Sequence, residues 1–135
     1  MNLVEGDYEL IEIAKQTGDR LHVKDLHEVT AALRTRSGTV FSGIHIEGTV
    51  GSIDVCGEVA AICSMVSAGQ RDIETIVAIY VDGQGNYSIM SPCGRCRELI
   101  SDFNLDANVI VGSVQKPIKI AISELLPMKS KSGAA

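Results

Sequence analysis

Two short cysteine motifs constrain this chain more than any other feature of its sequence. Cys56-Gly57-Glu58 opens an apolar segment that runs to residue 68, and Pro92-Cys93-Gly94-Arg95-Cys96 opens a second that runs to residue 103. Both segments are predicted to be mostly buried helices. The free amide N–H groups and the dipole of a helix N-terminus favour thiolate over thiol, so both motifs are suited to bind a cation.

The spacing of these cysteines predicts a catalytic metal site. Three thiolates at two adjacent helix starts can hold one Zn²⁺ and leave its fourth position open, as a catalytic zinc requires. We therefore predict Cys56, Cys93 and Cys96 as the zinc ligands. A water in the open position would lose its proton near neutral pH. Glu58 is the predicted catalytic residue, because a carboxylate there can take that proton and deliver it to a leaving amine.

The charge of such a site calls for a nearby cation. Zn²⁺ with three thiolates is a net anion, and a bound hydroxide would add to the negative charge. Arg95 is the predicted charge-balancing residue, because it is bracketed in the sequence by Cys93 and Cys96.

Two plainer interpretations of the cysteines stay open at this point. The thiols could be buried apolar groups, or the zinc could be structural, which would require a fourth protein ligand. Cys63 is the available candidate, but it lies two helical turns beyond Cys56, about 10.5 Å along the axis. We expect Cys63 to pack in the core instead.

The length, the net charge and the hydrophobic pattern of the chain argue against several other classes of protein. Its 135 residues fit a single domain over 1–135, with residues from about 129 to the end as a flexible tail. The net charge of −5 argues against a nucleic-acid partner. Neither a signal-peptide pattern nor an apolar run of about 18 residues is present, so we expect a cytoplasmic protein without a membrane partner.

The hydrophobic pattern predicts alternating helices and strands. Expected helices cover 6–17, ending at Gly18, then 56–68 and 95–103, with a last short helix capped by Ser123. Expected strands cover 29–34, 39–46, 76–81, 109–111 and 118–121. This order predicts an α/β protein, a three-layer α/β/α fold around a mixed five-stranded sheet.

With these motifs in view, the chain resembles the zinc-dependent cytidine deaminase family in its small all-cysteine form. The family's C-A-E motif corresponds to residues 56–58, its P-C-G-x-C-R motif to 92–97, and its sugar-binding G-x-N-x-E stretch to 43–47. The runs 91–97 and 55–70 are similar to the blasticidin S deaminase branch. C-x-E followed by P-C-x-x-C is a specific signature of zinc deaminases.

The resemblance implies roles for further residues. Glu47 would bind the ribose 3′-hydroxyl, the backbone N–H of Gly57 would hold the base carbonyl oxygen, and the backbone carbonyl near Pro92 would receive the exocyclic amine. It also implies a homotetramer whose active sites are completed by neighbouring subunits. A plain alternative for Glu47 is an exposed charge at a strand end.

The chain departs from the family pattern at positions that would contact the substrate, whereas the predicted zinc ligands and Glu58 match it. His45 stands where the family carries a sugar-binding Asn, and His27 stands where many members carry Phe. Both are predicted to bind substrate, although each could instead be a hydrogen-bonded strand residue. Gly51 replaces a frequent Tyr, and Val59 replaces an Arg whose role Arg95 would assume.

These departures lead to a functional prediction with two alternatives. Compared with the family pattern, the chain lacks aromatic rings around the substrate and has Gly57 in place of Ala, so we predict a roomier substrate pocket. We expect hydrolytic deamination at C4 of cytidine or deoxycytidine, with C4-substituted pyrimidine nucleosides accepted as well. The first alternative is a blasticidin S deaminase acting on a nucleoside antibiotic. The second is a non-catalytic, zinc-stabilised interaction protein.

Overall fold

Helices and strands alternate along the chain as the hydrophobic pattern predicts. A computed structural model describes residues 1–130. The helices are α1 Glu5–Leu21, α2 Gly57–Ser67, α3 Gly94–Phe103 and α4 Ile122–Leu125, with a 3₁₀ turn at Gly51–Ile53. The strands are β1 Val29–Thr35, β2 Val40–Ile44, β3 Ile73–Val81, β4 Tyr87–Ile89, β5 Asn108–Gly112 and β6 Pro117–Ala121.

The strands form one mixed sheet. Its main order is β2-β1-β3-β5-β6, in which β3 and β5 are parallel and the other neighbours antiparallel. These are the five predicted strands. The sheet also has a sixth strand, β4, paired with the end of β3 through Ile79↔Ile89. The prediction missed β4 because three residues beside a glycine-rich loop are too few to show a period.

Helices cover both faces of the sheet, which confirms the three-layer prediction. On one face, α1 packs Leu10 and Ala14 against Val77 and Ile79. On the other, α2, α3 and α4 pack around Ile76. Neighbouring side chains of β3 point to opposite faces, so its continuous apolar run supplies both cores.

Two predicted helix boundaries are wrong. Gly18 lies inside α1 rather than after it, and a Cβ there would lie 2.5 Å from a side-chain atom of Val81. Gly18 is therefore a close-packing residue between helix and sheet. Ser123 lies inside α4, whose N-cap is Ala121.

The prediction of a buried Cys63 is also wrong. Its side chain is exposed, because the buried face of α2 is formed by other positions, namely Gly57, Glu58, Ala61, Ile62 and Met65. In the predicted tail, the Lys129 ammonium pairs with Glu98 and lies 2.8 Å from Asp102. Residues 131–135 lie outside the described part of the chain. Over residues 1–130, no helix combines the length and apolarity needed to cross a bilayer.

Candidate active site

The N-termini of α2 and α3 meet at one end of the sheet and bring the three predicted ligands together. Cys56 is the N-cap of α2 and Cys93 is the N-cap of α3, while Cys96 is buried in the first turn of α3. The three Sγ atoms all lie within 4.8 Å of one another. The positions of the cysteines at the N-termini of α2 and α3 therefore bring the three sulfur atoms into one cluster.

The sulfur cluster fits a tetrahedral zinc ion. Two thiolates bound at a Zn–S distance of about 2.3 Å with tetrahedral angles lie about 3.8 Å apart. The Sγ atoms of Cys56 and Cys93 are 3.8 Å apart. Cys63 is exposed on α2, outside the cluster of Cys56, Cys93 and Cys96, so it is not placed to act as a fourth ligand.

The two cysteines of α3 have opposite electrostatic environments. Burial acts to raise the pKa of Cys93, but hydrogen bonds from the backbone N–H of Cys96 and from the neighbouring thiols outweigh it and lower that pKa. Burial and the nearby Glu58 carboxylate raise the pKa of Cys96. Ionisation of the Cys96 thiol therefore depends on a cation close to its sulfur.

Glu58 lies beside the sulfur cluster in the first turn of α2. It is only 6% exposed. Burial raises its pKa, and hydrogen bonds from its own backbone N–H and from Cys96 partly oppose that rise. A carboxyl group whose pKa is moved toward neutrality is suited to take up and release a proton.

The cluster borders a cleft of about 170 Å³. Among the predicted residues, His45, Gly57 and Glu58 lie along the cleft together with Cys56 and Cys93. The sequence prediction missed three further lining residues, which are Val29, Met90 and Ser91. Of these, Ser91 had a usable signal, because it directly precedes the Pro92-Cys93 motif.

The two histidines that were predicted to bind substrate occupy different places. His45 lines the cleft. Its Nδ1 accepts hydrogen bonds from the backbone N–H groups of Glu28 at 2.8 Å and Val29 at 3.0 Å. His27 is not among the cleft-lining residues; its Nδ1 lies 2.9 Å from the carbonyl oxygen of His45. Direct substrate contact by His27 therefore stays a prediction.

The backbone groups predicted to hold the base need one revision. The Pro92 carbonyl already accepts a hydrogen bond from Arg97 Nε at 2.8 Å, and Arg97 also donates to the Leu125 carbonyl. Pro92 is buried and Ser91 lines the cleft in its place. Of these two neighbouring residues, Ser91 is the one that lines the cleft, so its carbonyl is the candidate for this contact.

Gly57 lines the cleft, but its missing methyl does not enlarge it. A Cβ on Gly57 would lie 2.8 Å from the carbonyl oxygen of Val29 and 3.2 Å from the amide nitrogen of Ala31. The space beside this glycine is thus filled by β1. The prediction that Gly57 makes the pocket roomier is wrong. Gly51 lies in the exposed 3₁₀ turn. A Cβ added there would meet no atom of residues 1–130 within 4 Å, apart from its chain neighbours.

Arg95 lies where a charge-balancing residue would have to be. Its Nη2 is 3.4 Å from Cys56 Sγ and donates to the Asp54 carbonyl at 3.1 Å. The hydrogen bond and the charge of Cys56 raise the pKa of Arg95. The guanidinium therefore faces the sulfur cluster from its exposed side.

Two carboxylates form an acidic rim beside the cleft. The hydrogen bond and charge of Asp54 raise the pKa of Glu47, whereas the backbone N–H of Gly48 is the main cause that lowers the pKa of Asp54. Glu47 Oε1 lies 3.9 Å from His45 Nε2. Glu47 was predicted from the sequence, while Asp54 was missed because no motif marks it.

Comparison with known proteins agrees with this geometry. The family model of the cytidine and deoxycytidylate deaminase zinc-binding region matches residues 4–113. The chain belongs to this family. It is a hydrolytic deaminase that acts on C–N bonds and uses Zn²⁺. The alternative of a non-catalytic interaction protein is therefore set aside.

Two curated relatives illustrate the range of this deaminase family. The chain is 42% identical to the blasticidin-S deaminase of Bacillus cereus over 132 residues, which is 95% of this chain and 94% of that protein. It is 34% identical to the cytidine deaminase of Halalkalibacterium halodurans over 74% of each chain. The crystal structure of cytidine deaminase from Burkholderia pseudomallei matches with a TM-score of 0.76 at 25% identity, covering 93% of this chain and 98% of that one.

Proposed function

We propose that this deaminase removes the exocyclic amine from C4 of the cytosine base of a nucleoside, with blasticidin S as the preferred substrate. The observation that carries the proposal is the 42% identity to a blasticidin-S deaminase across nearly the whole of both chains. Cytidine is the second candidate, supported by the relatives named cytidine deaminase. The sequence alone had favoured cytidine.

The proposed metal ligands are the sulfur atoms of Cys56, Cys93 and Cys96. Bound there, Zn²⁺ supplies the Lewis acidity that activates a water molecule at neutral pH. The Arg95 guanidinium, 3.4 Å from Cys56 Sγ, offsets the negative charge of the thiolates. Free N–H groups at the starts of α2 and α3 add to this stabilisation.

Glu58 is the proposed proton carrier. Its carboxylate takes a proton from the attacking water and delivers it to N3 of the ring, while the water oxygen bonds to C4. It then transfers the second water proton to the amine, the C4–N bond breaks, and ammonia leaves with a carbonyl in its place. Burial of Glu58 excludes bulk water from these transfers and raises its pKa toward the range that proton exchange needs.

Further residues in the cleft and in the acidic rim beside it orient the nucleoside. The Gly57 N–H binds the base carbonyl oxygen, and the Ser91 carbonyl accepts from the exocyclic amine. His45 and Glu47 bind the sugar. The acidic rim of Glu47 and Asp54 suits a sugar that bears a cationic arm, as in blasticidin S, because opposite charges attract across the partly exposed mouth of the cleft.

A side-by-side assay tests this proposal. Zinc-loaded protein is given blasticidin S, cytidine and an N4-substituted cytidine, and the change in ultraviolet absorbance is followed. We expect turnover of blasticidin S with the highest kcat/KM. Higher kcat/KM for cytidine would overturn the substrate assignment while leaving the deaminase chemistry intact.

Replacement of Glu58 tests the proton carrier. Glu58→Gln is expected to lower kcat by a factor of about 10² to 10⁴, the usual contribution of a positioned acid–base group, with zinc content unchanged. The exposed Glu12, which pairs with Lys15 on α1, provides the control Glu12→Gln, for which activity should match the wild type. A Glu58→Gln enzyme with wild-type kcat would disprove the role.

A further inference from the structure

A contact between His27 Nδ1 and the backbone carbonyl of His45 joins the two histidines beside the cleft. The sequence suggested the same role for both, but only His45 lines the cleft, while His27 contacts its backbone. We propose that His27 is a positioning residue, which holds His45 so that its Nε2–H is a fixed hydrogen-bond donor toward the sugar of the substrate. This inference rests on the proposed function and deepens it.

The backbone of β1 fixes the tautomer of His45. Two N–H groups, of Glu28 and Val29, point at Nδ1 of His45 at 2.8 and 3.0 Å. A nitrogen that accepts hydrogen bonds carries no proton, so the proton of the neutral ring lies on Nε2. Within residues 1–130, Nε2 has no hydrogen-bond partner, and Glu47 Oε1 at 3.9 Å is beyond hydrogen-bond range.

His27 holds the segment from which the His45 ring projects. Its Nδ1 lies 2.9 Å from the His45 carbonyl oxygen, and a carbonyl can only accept, so Nδ1 of His27 is the protonated nitrogen. The His45 N–H in turn donates to the Val29 carbonyl at 2.8 Å. The backbone of His45 is therefore held from both sides, just beyond the end of β2.

This arrangement restricts what the cleft can bind at the His45 position. The side-chain amide expected there from the family pattern offers both a donor and an acceptor. The His45 ring offers a donor alone, because its acceptor is used by the backbone of Glu28 and Val29. The sugar group that meets His45 must therefore present an acceptor oxygen, such as a hydroxyl, ether or carboxylate oxygen.

The tautomers can be measured without turnover. Long-range ¹H–¹⁵N spectra of zinc-loaded protein labelled at histidine, recorded at alkaline pH, distinguish the two neutral forms. The chain has three histidines, which single variants assign, with His22→Phe as the third. We expect the Nε2–H form for His45 and the Nδ1–H form for His27. The Nδ1–H form of His45, or averaging between both forms, would overturn the inference.

Kinetics test the positioning role on whichever nucleoside is converted. His27→Phe removes the donor, and we expect KM to rise about tenfold, the effect of one lost hydrogen bond, with kcat within about twofold. His27→Asn returns an N–H near the position of Nδ1 and should bring KM back to within about threefold of the wild type. His22→Phe serves as the matched histidine control, with unchanged KM.

A double-mutant cycle separates positioning from general stability. If His27 acts through His45, adding His27→Phe to a His45→Ala enzyme should raise KM by no more than about twofold. The full tenfold rise in that background, or an unchanged KM in His27→Phe alone, would overturn the inference. If the protein converts neither blasticidin S nor cytidine, that result contradicts the proposed function and not this inference. The tautomer spectra need no turnover and still test the inference.

Discussion

Gly57 illustrates how a single residue can be assigned the right site and the wrong consequence. The motif places it next to Cys56 and Glu58, and the structure agrees. The sequence could not show what a side chain at position 57 would contact, because that depends on how closely α2 approaches β1. A Cβ there would meet the Val29 carbonyl at 2.8 Å, closer than real Cβ atoms come to other atoms.

Gly57→Ala is therefore expected to destabilise the protein despite the higher helix propensity of alanine. Overpacking typically costs about 1–3 kcal/mol, against a gain of up to about 1 kcal/mol in propensity. Gly94→Ala is the matched control at the first position of α3, where a Cβ would meet no described atom within 4 Å. Urea unfolding of the zinc-loaded proteins should show a loss for Gly57→Ala alone, and equal stabilities would contradict the packing argument.

At the scale of elements, a buried ionic cluster fixes the start of α1 to the sheet. Asp7 is fully buried and accepts from the Val4 N–H, from Arg34 at 2.8 Å and from Lys119 at 2.9 Å. Burial acts to raise the pKa of Asp7, but these hydrogen bonds outweigh it and lower that pKa. The cluster therefore joins α1, β1 and β6.

The lowered pKa of Asp7 makes its contribution to stability depend on pH. The contribution is present above the unfolded-state pKa of about 3.9 and is lost as pH falls through the lower folded-state pKa. Asp7→Asn should cost about 3–5 kcal/mol at pH 7, because it breaks a buried charge cluster. The difference from the wild type should shrink below about pH 4 in urea-unfolding measurements.

The exposed pair of Asp72 and Arg36 provides the comparison for that prediction. The two side chains lie 3.0 Å apart and are 55% and 53% exposed. Asp72→Asn should cost no more than about 1 kcal/mol, as is usual for surface ion pairs. A similar cost for Asp7→Asn would show that the Asp7 cluster does not stabilise the attachment of α1.

The accuracy of prediction also differed between elements. The long apolar runs of α2 and β3 were predictable because their periodicity and composition are local properties. The strand β4 and the extension of α1 past Gly18 were not, because pairing with β3 and packing against Val81 decide them. The different positions of His27 and His45 relative to the cleft likewise depend on the pairing of distant segments.

At the scale of the whole molecule, the catalytic cluster was the most predictable feature and the assembly the least. The Cys56 and Cys93 motifs are separated by more than thirty residues, yet the starts of α2 and α3, which pack on the same face of the sheet, bring them together. The expected homotetramer and cytoplasmic location stay predictions. Near the acidic rim, three apolar side chains are exposed: Ile46, Val50 and Ile53. A subunit interface of the expected homotetramer would cover such side chains.

The most direct test of this account is the coordination of the metal in the zinc-loaded protein. X-ray absorption at the zinc edge, with metal analysis, should show one zinc per chain with three sulfur ligands at about 2.3 Å and one lighter ligand. The variant Cys96→Ser should lose one sulfur from that shell, whereas Cys63→Ser should leave it unchanged. A shell of four sulfurs, or a shell unaffected by Cys96→Ser, would contradict the open, three-cysteine site.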